Sequence, residues 1–217
     1  MATGKSIGAA AAIAFRAHSG WATLIAICGP LDAPQVLDRR RIELCDPRDS
    51  HAKQPYHAAE PLQFAKAEKL VNGCIASSQK FALRAVQSLI HDLARQGYQL
   101  VAGAILCASG RPLPDLKEIL ASHALIHAAE GEMFRDVLVR ASTDCGISVS
   151  KIKERELLAQ ASASSSLPEA KLQLHLAALG KQLGPPWRQD EKFATLAAWV
   201  ALIRAFSSAQ RAIARAI

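Results

Sequence analysis

Two histidines and a glutamate occur at spacings that bring their side chains together on a helix. His123, His127 and Glu130 are four and three residues apart, so an α-helix places them on one face. Two imidazoles at this spacing can share a metal ion, and Glu130 extends the same face as a third ligand. Histidine beside a carboxylate can also perform general acid–base catalysis near neutral pH. A structural role, with the three groups hydrogen-bonded to one another, to backbone or to water, fits the pattern equally well.

A further metal ligand could come from an earlier stretch of the chain. The tetrapeptide His-Ala-Ala-Glu occurs at 57–60 and again at 127–130, so His57 or Glu60 could complete the site. A divalent metal, zinc or iron, is the candidate cofactor that these residue types suggest.

The helix that carries these residues is predicted to run from Asp115, where Glu118 completes a capping-box-like pattern, to about residue 145. At 100° per residue, apolar side chains share the face with the two histidines and the glutamate. These apolar residues are Leu116, Leu120, Phe134 and Leu138. We therefore expect the three polar side chains to be largely buried and hydrogen-bonded.

Predicted strands flank this helix. Residues 100–107 are almost wholly apolar, which is typical of a strand buried on both faces. Residues 147–152 suggest a second strand. A strand–helix–strand unit of this kind normally forms a right-handed crossover between parallel strands.

The rest of the chain predicts three strands before this unit and helices after it. Strands at 11–17, 21–28 and 36–45, joined by short turns, indicate an antiparallel meander. A polar loop at 46–61 overlaps the start of a helix at 60–95, and later helices are expected at 151–163, 167–179 and from 191 to about 216. We expect an α/β fold with a mixed five-stranded sheet and the first strand between the second and fourth. Residues 1–217 would form one domain, with 154–217 as a helical part packed on it.

Composition excludes several classes of protein. Half of the 217 residues are hydrophobic and 21% are charged, which indicates a compact globular protein. A net charge of +7 is compatible with a polyanionic partner, but 5% aromatic residues argue against a platform for stacking single-stranded bases. Five cysteines without CxxC spacing indicate reduced thiols in a cytoplasmic protein. The apolar run at 193–203 is too short to span a membrane.

The third predicted strand contains Arg39, Arg40 and Arg41 in succession. Charges on an exposed edge strand prevent pairing with other chains. The same arginines could instead contact phosphates. The pattern favours the edge strand over the phosphate-contacting surface.

The order of the elements resembles that of the ribonuclease H-like superfamily, in particular its Holliday-junction resolvase branch. Ser19-Gly20-Trp21 resembles the glycine–aromatic start of the second strand in that family. Residues 185–198 resemble the proline turn and the acidic, alanine-rich start of its last helix. The resemblance implies a nuclease fold that covers the chain from residue 11 to about 205.

The resemblance also implies where catalytic acids should lie. Family nucleases gather carboxylates from the first strand, the end of the fourth strand and the last helix around two metal ions. Here the first strand carries Arg16 and His18 but no acid, and the fourth ends at Ala108-Ser109. Asp190 or Glu191 alone matches the third position. We therefore expect a ribonuclease H-like protein without two-metal nuclease activity.

Three functional hypotheses follow from these patterns. In the first, the protein binds a polyanion (nucleic acid or nucleotide) or a protein partner through Arg16 and the arginines at 39–41. In the second, it is a hydrolase at the sheet edge, with or without a bound metal, and Ser109 is a candidate nucleophile. The residues of that site would be His18, Ser109, His123, His127, Glu130 and Asp190. In the third, it is a structural homo-oligomer that packs through its apolar C-terminal helix. No hypothesis involves a membrane.

Overall fold

Five strands form one mixed sheet in the computed structural model of the chain, which describes residues 8–108 and 112–216, with side chains up to 211. The strands are β1 (Ala9–His18), β2 (Trp21–Cys28), β3 (Gln35–Glu43), β4 (Tyr98–Cys107) and β5 (Val149–Lys153). Their order across the sheet is β3-β2-β1-β4-β5. β1 is antiparallel to β2 and parallel to β4, and β4 is parallel to β5. The predicted mixed sheet, with the first strand between the second and fourth, is confirmed.

Helices cover both faces of this sheet. α3 (Phe64–Arg95) and α5 (His123–Asp144) pack on one face, and α8 (Gln189–Ala216) packs on the other against β1, β2 and β4. α6 (Leu157–Ser165) contacts α8, and α7 (Glu169–Leu183) contacts α6. The short helices are α1 (Ser50–Lys53), α2 (Pro55–Ala59) and α4 (Leu116–Leu120). Among the described residues, no helix is long and apolar enough to cross a membrane.

Successive side chains of β1 point to opposite faces of the sheet and therefore pack against different helices. Ile13 and Phe15 join the core beneath α3 and α5, whereas Ala12 and Ala14 join the core beneath α8. Because side chains alternate in a strand, Arg16 and the residue two positions later continue the α8 row. The side chains of Arg16 and His18 therefore lie at the carboxyl end of β1, on the face of the sheet that α8 covers.

The helix predicted at 151–163 begins only at Leu157, because residues 151–153 belong to β5. The structure also differs from the predicted elements in two other places. The expected surface loop at 46–61 contains α1 and α2, and Tyr56 and Ala59 of α2 are buried in the core. Local signals start these helices, since the Asp49 carboxylate accepts the first backbone N–H groups of α1 and Pro55 occupies the first turn of α2. The single helix expected from residue 115 to 145 is also interrupted at Ser122, whose backbone is extended (φ −140°, ψ 114°).

Candidate functional site at the carboxyl end of β1

An arginine lies between two carboxylates at the carboxyl end of β1. Arg16 Nε and Nη2 donate to the two carboxylate oxygens of Glu154 at 3.0 and 3.1 Å. Its Nη1 donates to Asp190 Oδ1. Burial disfavours the charged guanidinium, but the hydrogen bonds and charges of Glu154 and Asp190 outweigh it and raise the pKa of Arg16. The group is a fixed, hydrogen-bonded cation.

The topology of the sheet explains how these residues meet. β1, β4 and β5 run parallel, so their carboxyl ends share one edge of the sheet. Glu154 follows β5 directly, and Asp190 is the second residue of α8. Sequence reasoning missed Glu154, although its place immediately after a strand parallel to β1 was the available signal.

α8 begins at Gln189, two residues before the start predicted at residue 191. The backbone N–H of Arg188 donates to Glu191 Oε2 at 2.7 Å, which is one half of a capping box. Asp190 is therefore free of a capping role, and its side chain reaches Arg16.

His18 contacts the same acid. Its Nε2 lies 3.2 Å from Asp190 Oδ2, although Nε2 makes no well-aligned hydrogen bond. The imidazole stacks on the Trp21 ring with centroids 4.1 Å apart and planes 11° from parallel. Trp21 also contacts Arg41, whose guanidinium carbon lies 3.9 Å from the indole centroid. His18 and Arg41 are thus joined through one aromatic side chain.

A groove of about 410 Å³ opens beside this cluster, between the edge of the sheet and the start of α8. We call it the arginine groove. Its lining residues are Trp21, Thr23, Arg39, Arg40, Arg41, Pro186, Arg188, Asp190 and Glu191. β3 is an edge strand, as predicted from its consecutive arginines.

The three consecutive arginines of β3 bind different partners. Arg39 donates to the carbonyl oxygens of Gly184 and Pro186 at 2.8 and 2.5 Å, so it holds the turn before α8. Arg40 borders the groove, but its guanidinium pairs with Asp38 and with Asp92 on α3. These three consecutive residues therefore do not form a single patch, and Arg40 is largely neutralised.

The groove nevertheless carries excess positive charge. Arg39 and Arg188 form no ion pair with any of the residues that the structure describes. Arg41 pairs with Glu43 at 2.8 Å, but its side chain stays 55% exposed and can still meet a ligand. Asp190 is already bound by Arg16. An anion in the groove would meet guanidinium groups with few competing carboxylates.

A second group of polar residues lies at the start of α5, on the other face of the sheet. His123 and His127 are exposed, and their Nε2 atoms are 3.1 Å apart. The ring of His57, from α2, has its centroid 5.2 Å from that of His123 and 4.6 Å from that of His127. Of the two residues that could complete a metal site, His57 is the one that joins it, whereas Glu60 is exposed and outside the group.

Glu130 lies behind His57 rather than beside the other two histidines. It is 3% exposed, and its Oε1 accepts the backbone N–H of His57 at 3.2 Å. Its Oε2 is 2.9 Å from His57 Nδ1, although this Nδ1 makes no well-aligned hydrogen bond. The prediction that all three polar residues are buried is right for Glu130 and wrong for His123 and His127. Both histidines share the helical phase of Glu130, but they lie in the first two turns of α5, where that side of the helix is exposed.

The structure separates the residues of the alternative hydrolase site. His18 and Asp190 contact each other on the α8 side, whereas His123, His127 and Glu130 cluster with His57 on the α5 side. Ser109 lies outside the described residues. The described members of that six-residue set therefore form two groups, and the structure does not bring them together.

Comparisons with known proteins identify the fold. No protein-family model matches the chain, and no curated protein matches it significantly in sequence. The structure of RuvC from Thermus thermophilus is similar, with a TM-score of 0.50 and 11% identity over 91% of this chain and 96% of that one. RuvC from the same organism in complex with a Holliday junction substrate gives 0.51 and 11% over 91% and 95%. The chain has the ribonuclease H-like fold of RuvC. At this identity, the RuvC-like fold is what the comparison establishes, and it agrees with the resemblance seen in the order of elements.

Proposed function

We propose that this RuvC-like protein binds nucleic acid through the arginine groove and does not cleave it by a two-metal mechanism. One observation carries the proposal: the guanidinium of Arg16 binds Glu154 and Asp190 at the carboxyl end of β1. A cation of the protein itself thus sits at the sheet edge where the family resemblance places metal-binding acids.

The residues at this edge do not fit a pair of divalent metals. Such a pair needs several carboxylate oxygens to hold the attacking water and the leaving oxygen. Here Arg16 already binds both nearby acids, and Glu191 accepts a backbone N–H at the start of α8. β4 ends at Cys107 and continues into Ala108, so the described part of this strand end offers no acid.

The arginine groove supports binding. Arginine side chains match phosphate geometry, and most protein–DNA hydrogen bonds go to the sugar–phosphate backbone. Arg41 and Arg188 are exposed at the groove, and Trp21 lines it in contact with Arg41. The similarity to RuvC, one of whose structures holds a Holliday junction, favours nucleic acid over other polyanions.

Binding measurements with groove variants test the first half of the proposal. Labelled duplex and four-way junction DNA would be titrated with wild type, Arg41→Gln, Arg188→Gln and the double variant. Arg84→Gln is the matched control, because Arg84 is exposed on α3 on the other face of the sheet. We expect each groove variant to weaken binding several-fold and to reduce the slope of log K against log salt by about 0.9 per lost phosphate contact. Equal losses in Arg84→Gln would show only general electrostatic attraction.

Cleavage assays test the second half. With Mg²⁺ or Mn²⁺, wild type should show no turnover of duplex, hybrid or junction substrates above an Asp190→Asn control. Robust metal-dependent cleavage that disappears in Asp190→Asn would refute the proposal. Cleavage in EDTA that disappears in His18→Gln would instead support a metal-free hydrolase built on the His18–Asp190 contact.

A further inference from the structure

The histidine group at the start of α5 is separate from the arginine groove and has no role in the proposed function. His123 is the first residue of α5 and His127 lies one turn later, so both rings project from one side of the helix. His57 approaches from the last turn of α2. One ring nitrogen from each of the three lies within 4.8 Å of the others.

The spacing suits a small tetrahedral ion. Two imidazole nitrogens bound to the same tetrahedral zinc, each at about 2.0–2.1 Å from it, lie about 3.3 Å apart. The Nε2 atoms of His123 and His127 are 3.1 Å apart, a hydrogen-bond distance that is also close to this value. The third imidazole, of His57, has a ring nitrogen within 4.8 Å of nitrogens of the other two.

The buried carboxylate of Glu130 is an independent observation that points to a cation. At 3% exposure it has no Lys or Arg partner among the described side chains, and its polar contacts within that part of the chain are with the backbone N–H and the ring of His57. An ionised carboxylate in such a place is costly without a compensating positive charge. A metal on the far side of His57 would supply that charge. The Nδ1 of His57 faces Glu130, so Nε2 is the nitrogen left for the ion. This is the carboxylate–histidine–metal arrangement found behind many metal ligands.

We propose that His57, His123 and His127 bind one divalent ion of the zinc class, with Glu130 orienting His57 from behind. Three neutral imidazoles favour Zn²⁺, Co²⁺, Ni²⁺ or Cu²⁺ over Mg²⁺ and Ca²⁺, which require oxygen ligands. His123 and His127 are exposed, so the fourth coordination position is open to solvent. The ion also links α2 to α5. The proposed ligand set replaces Glu130 of the sequence-based set with His57.

Metal titration of the untagged full-length protein tests the site. Co²⁺ is the probe, followed by its d–d absorption and by competition with Zn²⁺, and Zn²⁺ content is measured after dialysis. We expect one ion per chain, with loss of tetrahedral Co²⁺ absorption in His57→Gln, His123→Gln and His127→Gln. Glu130→Gln should keep the spectrum but weaken affinity 10–100-fold. His91→Gln is the matched control, because His91 is exposed on α3 away from the group.

Thermal unfolding separates loss of the site from loss of the fold. Zn²⁺ should raise the Tm of wild type and His91→Gln, because an ion that binds only the folded state stabilises it. It should not raise the Tm of His57→Gln. Failure of wild type to bind Zn²⁺ or Co²⁺ at micromolar concentration, or unchanged binding in His57→Gln, would overturn the proposal. DNA binding by wild type stripped of metal is independent of this result and continues to test the arginine groove.

Discussion

Arg16 binds Glu154 through two parallel hydrogen bonds, from Nε to Oε1 at 3.0 Å and from Nη2 to Oε2 at 3.1 Å. This bidentate ion pair connects β1 to the turn that follows β5. The remaining Nη1 binds Asp190, so the same guanidinium also holds the start of α8. One side chain thereby connects three parts of the chain that are far apart in sequence.

Removing this guanidinium should destabilise the fold. In Arg16→Ala, Glu154 and Asp190 would both lose the cation that they share, and both are partly shielded from water at 36% and 22% side-chain exposure. We expect the free energy of unfolding to fall by about 2–3 kcal/mol, measured by urea denaturation. Arg155→Ala is the control, because its side chain is 75% exposed and such residues contribute within about 0.5 kcal/mol. Similar losses in the two variants would mean that the guanidinium has no special role.

Mg²⁺ provides a second measurement on the same pair of acids. If Arg16 takes the place of a bound cation, Mg²⁺ should restore part of the Tm lost in Arg16→Ala and leave the Tm of wild type unchanged. The stabilisation would reflect ion binding to the folded state alone. An equal Mg²⁺ effect on both proteins would indicate binding elsewhere.

Two glycines should respond in opposite directions to alanine. A Cβ on Gly180 would lie 2.2 Å from Cδ1 of Trp187, whose indole N–H donates to the Leu176 carbonyl. We expect Gly180→Ala to lower the free energy of unfolding by about 1–3 kcal/mol through overpacking. Gly73 is exposed inside α3 with open space around it, so Gly73→Ala should raise that free energy by about 0.5–1 kcal/mol. Urea denaturation of both variants checks the pair, and stabilisation by Gly180→Ala would contradict the packing described here.

The strands could be predicted because their signals are local. Residues 21–28 were predicted as a strand, and β2 has those bounds. The crossover order followed from apolar runs and turns alone. The start of α5 could not be predicted in the same way, because helical periodicity continues through residues 121 and 122 although the backbone does not. Helical phase put His123 and His127 on the same face as Glu130, but phase does not show which turns of that face are covered by the core.

The candidate site was only partly predictable for a different reason. Arg16 and Asp190 were singled out individually, but their contact spans 174 residues of sequence and depends on how α8 docks on the sheet. Glu154 was missed because its role comes from the shared edge of β1 and β5, not from its neighbours in sequence. His57 was named as a possible ligand from a repeated tetrapeptide, and its approach to α5 depends on two short helices that were read as loop.

Acidic pH should weaken the ion pair between Glu132 on α5 and Lys151 on β5. Burial alone would raise the pKa of Glu132, but Lys151 and Arg135 outweigh it, and the net effect lowers that pKa below the ordinary 4.5. A carboxyl with a depressed folded-state pKa stabilises the fold above its unfolded pKa, and this contribution is lost as pH falls through the folded value. The stability difference between wild type and Glu132→Gln should therefore be constant near neutral pH and shrink below about pH 4.5. Urea denaturation at several pH values measures it, and a difference that grows on acidification would contradict the shift.

The contact between Trp21 and Arg41 should appear as coupling in DNA binding. The indole holds the guanidinium at 3.9 Å from its ring centroid, so it orients the charge toward the groove. Trp21→Ala and Arg41→Gln should each weaken duplex binding. The loss of affinity in the double variant should be smaller than the product of the two single losses by a factor of about 2–5. This factor corresponds to about 0.5–1 kcal/mol of cation–π energy. The matched cycle pairs Trp21→Ala with Arg188→Gln, since Arg188 lines the groove and makes no ring contact with Trp21 among the described side chains. In this control cycle, the loss of affinity in the double variant should equal the product of the two single losses. If the losses of affinity in the Trp21–Arg41 cycle also multiply, Trp21 does not position Arg41 for binding. The two side chains then contribute to binding independently.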